Sequence, residues 1–284
     1  MIAVTGATGQ LGRLVIEALL KTVPAAQIVA AVRSPEKASD LAARGVQIRP
    51  ADYNDPVTLD AAFAGVEKLL LISSNELGKR GVQHRAAIDA ARRAGVELIA
   101  YTSVLHADTS PLGLAGEHRE TEAALRESAV PFVVLRNGWY TENYTGSLAP
   151  VLEHGALLGD SGDGRISSAA RADYAEAAAA VLTRDEQAGR IYELAGDTAY
   201  TLTDFAAEVA RQAGKAVVYR NMSETEYKAA LIGVGLPEPV AELIADSGTG
   251  AAKGALFDDS HQLSTLLGRP TTSLATVVAA ALAK

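Results

Sequence analysis

The first nineteen residues constrain the fold more than any other stretch. Met1-Ile2-Ala3-Val4-Thr5 is a short apolar run that leads straight into Gly6-Ala7-Thr8-Gly9-Gln10-Leu11-Gly12, and the helical spacing Leu11, Leu14, Val15, Ala18, Leu19 begins at once. Strand, glycine turn and helix in that order form the context in which a glycine-rich turn binds a dinucleotide. Gly6 permits the tight turn, Gly9 lets the main chain approach a pyrophosphate, and Gly12 lets the helix pack closely. The diphosphate would lie on free N–H groups at the helix N-terminus, favoured by the helix dipole. The spacing is G-x-x-G-x-x-G, one residue longer between the first two glycines than the common form.

The same alternation continues downstream. Arg44-Gly45-Val46, Ala64-Gly65-Val66 and Ala94-Gly95-Val96 each join a helical stretch to a new apolar run through a glycine able to take the left-handed C-cap conformation. Ser34-Pro35 and Asp55-Pro56 place a capping side chain before a proline at the first helical position. Apolar runs at Met1–Thr5, Gln27–Val32, Val46–Arg49, Glu67–Ile72, Val96–Thr102 and Pro131–Arg136 read as strands separated by helices. Right-handed crossovers then give an open α/β sheet, doubly wound and parallel, and not a barrel.

After Arg136 the rhythm breaks. Residues 137–168 are rich in Gly, Asn and Ser, an Ala-rich helix follows at Arg171–Leu182, and a strand at Ile191–Ala195. From Tyr200 a helix-strand-helix pattern leads to a Gly- and Asp-rich stretch, Asp246–Asp259, read as irregular, and Thr271–Ala283 reads as a helix. The expected organisation is a Rossmann domain of 1–136, 166–195 and 262–284, with a smaller, discontinuous C-terminal lobe of 137–165 and 196–261 over the substrate.

Composition narrows the function. The net charge of −8 lies without basic blocks, which argues against a nucleic-acid partner. No apolar run approaches the ~20 residues needed to span a bilayer, and the opening residues read as a strand, so a signal peptide is not expected. There is no cysteine, so disulfides and thiolate chemistry drop out. A cytoplasmic protein is expected, and a homo-oligomer is compatible with the sequence. NAD sites place a carboxylate about twenty residues beyond the glycines, at the end of the second strand. Here that strand ends Ala30-Ala31-Val32-Arg33-Ser34. Arg33 suits a 2′-phosphate, so NADP(H) is favoured over NAD.

The G-A-T-G-Q-L-G opening, A-Y-T-S after the fifth strand and L-R-N-G-W-Y-T-E-N after the sixth resemble the NmrA-like atypical short-chain dehydrogenase/reductases. Thr102–Leu114 is most similar to the bacterial NADPH:quinone oxidoreductase type 2 branch, with the triphenylmethane dye reductases next. The resemblance implies an NADPH-dependent quinone oxidoreductase. An alternative within the same group is a non-enzymatic NADP(H)-binding redox sensor of the NmrA kind. The superfamily's Tyr-x-x-x-Lys pair is missing: Leu114-Ala115-Gly116-Glu117-His118 stands where it would fall. A quinone is electron-poor enough to be reduced without that acid, so the departure fits quinone reduction better than ketone reduction.

The resemblance also assigns residues. Gly6, Ala7, Thr8, Gly9, Gln10, Leu11 and Gly12 would form the diphosphate turn and Arg33 would meet the 2′-phosphate. Ser73, Ser74 and Asn75 would pass beside the ribose path. Asn137, Gly138, Trp139, Tyr140, Thr141 and Glu142 would line the nicotinamide and substrate end, with Ser168 closing on the cofactor and Asn137 as the catalytic residue. Packing remains open for Trp139 and Tyr140. His118 is either a ribose contact or proton source, or a surface helix residue. His84, His106, His154 and His261 show no metal-ligand spacing, and Asp52, Asp55, Asp258 and Asp259 read as loop and capping carboxylates.

Overall fold

Every apolar run read as a strand forms one, with ends displaced by at most two residues, in a computed structural model that describes residues 1–146 and 148–283. The chain runs β1 (Ile2–Thr5), α1 (Gln10–Leu19), β2 (Ile28–Val32), α2 (Ser39–Ala43), β3 (Gln47–Pro50), α3 (Pro56–Phe63), β4 (Lys68–Leu71), α4 (Arg80–Arg93), β5 (Leu98–Val104), α5 (Ala115–Glu127) and β6 (Phe132–Asn137). It continues through α6 (Glu142–Thr145), α7 (Leu148–His154), β7 (Ala156–Gly159), α8 (Arg171–Thr183), β8 (Ile191–Leu194), α9 (Leu202–Ala213), β9 (Val218–Asn221), α10 (Glu224–Gly233), α11 (Glu238–Ala252), α12 (Gln262–Leu267) and α13 (Leu274–Leu282). Among the described residues no helix is long and apolar enough to cross a membrane.

The main sheet has the order β3-β2-β1-β4-β5-β6-β8, and each neighbouring pair from β3 to β6 is parallel. Its order reverses between β1 and β4, the switch point at which open α/β sheets bind ligands beyond the strand ends. One sheet face is covered by α3, α4 and α5 through a core that includes Leu59, Phe63, Ile88, Ala91 and Leu125 against Leu69, Leu71, Ile99 and Val134. On α1, Val15, Ile16 and Leu19 are buried, and this helix packs against the Ala-rich α8. Gly45, Gly65 and Gly95 all take the left-handed conformation expected of the junction glycines.

Two expectations fail locally. Asp55 caps α3, its Oδ1 accepting from Val57 N–H at 3.2 Å with Pro56 first in the helix, but Ser34 makes no capping hydrogen bond. Pro35–Ala38 forms a 3₁₀ turn closed by the main chain, Lys37 N–H to the Ser34 carbonyl at 3.1 Å. The stretch from Asp246 is likewise not irregular as far as Ala252, because α11 runs through Gly248 and Gly250. A Cβ on Gly248 would stand 2.7 Å from the Asp160 carboxyl carbon, and one on Gly250 would meet the end of Leu112. Close packing outweighs the roughly 1 kcal/mol that each glycine costs a helix.

Two compact units emerge, each described by itself. The first comprises Met1–Ala107, Gly116–Asn137 and Arg171–Tyr192. The second comprises Asp108–Ala115, Gly138–Ala170 and the chain from Glu193 onward, so that α13 lies in it and packs on α9 and α6. Within the second unit β7 and β9 form a two-stranded parallel sheet. Capping boxes start α9 (Thr201 with Asp204) and α10 (Ser223 with Glu226).

Candidate functional site

The turn between β1 and α1 is built as its glycines require. Gly6 has φ +58°, and its carbonyl accepts from Gly9 N–H at 2.8 Å, which folds the turn back on itself. Gly9 is the N-cap of α1 and offers no side chain in front of the helix end. A Cβ on Gly12 would stand 2.8 Å from the Ala7 Cα and nearer still to the Gly6 carbonyl oxygen, so this glycine lets α1 rest on the turn itself. The first N–H groups of the helix remain available to an anion.

A cavity of about 530 Å³ opens beyond this turn, wholly within the first unit. Its walls are the C-terminal ends of β1 to β4 and the loops that leave them. Gly6, Thr8, Gly9, Arg33, Ser73, Ser74 and Asn75, all expected from sequence, line it together. Ala7 and Leu11 are instead buried, and Gln10 and Gly12 belong to α1; these four shape the turn rather than face the cavity. Sequence reasoning missed Arg13, Lys37, Tyr53, Glu76 and Gln83, and it gave Asp52 a loop role only. The signal for Asp52 and Tyr53 was their place just past the end of β3, on the ligand side of the sheet.

The loop after β4 is fixed by buried polar groups. Tyr53 Oη lies 2.6 Å from Thr5 Oγ1 and donates to the Ile72 carbonyl at 2.8 Å. Ser73 N–H donates to Thr102 Oγ1, and Ser74 N–H to His84 Nε2, both at 2.9 Å. Arg80 Nε holds the Ser74 carbonyl at 2.6 Å. His84 then presents Nδ1 to Thr121 Oγ1 at 2.8 Å, so both its ring nitrogens are engaged in the neutral form. Burial, reinforced by the Arg80 charge, pushes the His84 pKa down to about 3.

The segment standing where Tyr-x-x-x-Lys would fall has become part of this anchor. Glu117 Oε1 accepts from Gly78 N–H at 2.9 Å and Arg80 N–H at 3.2 Å. His118 is not a surface residue: it is 4% exposed, with Nδ1 2.7 Å from Tyr101 Oη and Nε2 3.4 Å from the Arg80 guanidinium. Burial first, then Arg80 and His84, lower its pKa to about 3, while burial pushes the Tyr101 phenol up. Near neutrality His118 is therefore a neutral imidazole, and Tyr101 keeps its phenolic proton. His261, without a partner by sequence spacing, pairs with Asp197 at 3.1 Å within the second unit.

At the end of β6, Arg136 forms a buried two-pronged pair with Glu122 (3.0 and 2.8 Å), which also accepts from Ser103 Oγ at 2.7 Å. This fixes the strand end that carries Asn137, whose Oδ1 is buried with no hydrogen-bond partner. Such an acceptor is costly to leave unpaired. Residues 138–142 and Ser168 belong to the second unit and are drawn together there. Thr141 N–H donates to the Ala169 carbonyl at 3.0 Å, Thr141 Oγ1 meets Ser168 Oγ at 2.8 Å, and Ser168 Oγ meets Tyr200 Oη at 2.5 Å.

Known proteins share the fold and much of the sequence. Residues 6–185 match the model of a family described as NAD(P)H-binding. The chain is 60% identical over 275 residues to quinone oxidoreductase 2 of Escherichia coli (strain K12), covering 97% of this chain and 96% of that protein. The crystal structure of the E. coli NADPH-dependent quinone oxidoreductase complexed with NADPH matches with a TM-score of 0.97 at 59% identity, covering 99% of this chain and 100% of that one. Citrobacter sp. triphenylmethane reductase complexed with NADP(H) matches with a TM-score of 0.95 at 43% identity, covering 99% of this chain and 100% of that one.

Proposed function

The chain belongs to the NAD(P)H-binding family that includes quinone oxidoreductase 2, and we propose that it reduces quinones with NADPH held in the cavity beyond β1 to β4. The observation that carries this reading is the cavity itself. An anion-binding helix start and an arginine close the same space at the switch point of the sheet. NADPH, when bound, supplies a hydride, and a quinone is an acceptor for it.

The protein's own residues then bind, orient and stay out of the acid–base chemistry. The Gly6–Gly12 turn receives the diphosphate and Arg33 the 2′-phosphate. Ser73, Ser74 and Asn75 flank the ribose path on a loop that buried side chains hold still. Asn137 offers its unpartnered Oδ1 to an amide donor, which orients the reacting end and makes Asn137 the residue on which rate depends most. On the family resemblance, Gly138, Trp139, Tyr140, Thr141, Glu142 and Ser168 serve the nicotinamide and acceptor. No side chain is needed as a proton donor, because the anion of a reduced quinone is resonance-stabilised and takes its proton from water. A cytoplasmic setting, where NADPH is kept reduced, suits this work.

The test is NADPH oxidation by the purified protein with benzoquinone, a naphthoquinone, a triphenylmethane dye and a simple ketone. Quinones should turn over fastest. Activity on the ketone alone would overturn the reading, and tight NADPH binding with no oxidation by any acceptor would favour a redox sensor.

A further inference from the structure

Arg33, the residue read as the 2′-phosphate contact, already has an anionic partner. Its guanidinium lies 3.0 Å from Glu76 Oε1, and both side chains line the cavity. Glu76 is no chance neighbour on a loose loop. Its N–H donates to Ser74 Oγ at 3.1 Å, and Ser74 is gripped at N–H and carbonyl by His84 and Arg80. The anchor therefore fixes the stretch of main chain from which Glu76 projects. The other carboxylate oxygen of Glu76 lies 3.3 Å from Lys79 Nζ, so Glu76 keeps a cation when Arg33 turns elsewhere. Of the other basic residues that line the cavity, Arg13 and Lys37, Arg13 is tied to Asp40 at 2.6 Å and to the Lys37 carbonyl at 2.5 Å.

We propose that Glu76 is an internal competitor for Arg33, and that it sets the margin by which the protein prefers a 2′-phosphorylated dinucleotide. A phosphate and the Glu76 carboxylate seek the same guanidinium, and they repel one another at close range. Each NADPH bound must offset the Arg33–Glu76 pair and that repulsion. NADH, with a 2′-hydroxyl, disturbs neither. Glu76 thus lowers NADPH affinity selectively, which favours release of the oxidised cofactor over long retention. The inference rests on Arg33 as the phosphate reader.

The experiment is fluorescence titration of NADPH and NADH into wild type, Glu76→Gln, Arg33→Ala and the double variant, at low and high salt, with circular dichroism to confirm folding. The fragments 2′,5′-ADP and ADP serve as competitors that carry only the discriminating end. Glu76→Gln should tighten NADPH and 2′,5′-ADP by about three- to tenfold at low salt, the scale of one exposed ion pair plus a like-charge repulsion. NADH and ADP should stay within about twofold on the same scale, the gain should shrink with salt, and it should be smaller in the Arg33→Ala background, where only the like-charge repulsion is left to relieve. Unchanged or weakened NADPH binding in Glu76→Gln, or equal tightening of NADH, overturns the proposal. Arg33→Ala binding both cofactors like wild type would overturn the reading beneath it, whereas a selective NADPH loss in Arg33→Ala with no gain in Glu76→Gln would sink Glu76 alone.

Discussion

Gly12→Ala separates the dinucleotide turn from the stability of the fold. Gly12 lies within α1, so helix propensity alone would have alanine stabilise the protein by about 1 kcal/mol. The geometry opposes this. The new Cβ would stand 2.8 Å from the Ala7 Cα and 2.9 Å from the Gly6 carbonyl carbon, all main chain and none of it a flexible side-chain tip. Carbon atoms in comfortable contact sit about 3.5–4.0 Å apart, so the Gly6–Ala7 turn must retreat by at least about 0.7 Å. Overpacking of this kind costs about 1–3 kcal/mol. Stability should therefore fall by no more than about 2 kcal/mol, a Tm loss of up to about 8 °C. The effect on cofactor should be larger, because the displaced groups are those that meet the diphosphate. Hydrogen bonds to a charged group contribute about 1.5–3 kcal/mol, so losing even one weakens NADPH at least about tenfold. Thermal denaturation and NADPH titration on the same preparation decide it. Wild-type affinity, or a raised Tm with affinity intact, would refute the role given to Gly12.

Asn137→Ala removes a buried acceptor that has no partner, so stability should hold within about 1 kcal/mol while NADPH-dependent quinone turnover drops; a clear Tm loss with turnover intact would contradict this. His118→Asn keeps a polar atom near Tyr101 Oη, and quinone reduction should remain within about tenfold of wild type, short of the ~10²–10⁴-fold that a general acid contributes. A thousand-fold loss would make His118 the proton donor. Folding stability should also depend on pH. His84 and His118 are depressed to about 3 in the fold against about 6.5 when unfolded, so the unfolded chain binds more protons below that pH. Stability is fully present above about pH 6.5 and is lost as pH falls toward 3. Asp160, pushed up to about 6 by burial, gains its proton earlier in the fold and offsets part of that loss below pH 6. Tm measured from pH 8 to 5 should be level above 7 and decline below 6.5; a Tm that rises toward pH 5 would show that the buried histidines are not neutral.

What could be read from the chain and what could not divides along a physical line. The β1–α1 turn was legible because each glycine answers a main-chain requirement at fixed spacing, and the parallel strands because buried-on-both-faces strands are unbroken apolar runs. Arg33 was legible from the absence of a carboxylate at the end of β2. The partner of Arg33 was not, since Glu76 lies 43 residues away and meets it only once β1 and β4 are adjacent. α5 is mostly polar and reads as a surface helix, yet it buries His118, Thr121 and Glu122. Their partners, Tyr101, His84 and Arg136, come from β5, α4 and β6, and no local pattern announces a polar residue satisfied by another element. The same holds for α11, whose glycines look like loop until Leu112 and Asp160 are seen to need the space.

The central claim is that this cavity holds a 2′-phosphorylated cofactor for quinone reduction, and one set of rates tests it most directly. Steady-state kcat/KM for a benzoquinone should be measured with NADPH and with NADH, in wild type and in Arg33→Asp. Wild type should reduce the quinone and favour NADPH. Arg33→Asp should lose about ten- to a hundredfold with NADPH, the scale of removing one charge-assisted hydrogen bond, and change little with NADH. Equal losses with both cofactors, or no quinone reduction by wild type with either, would contradict it.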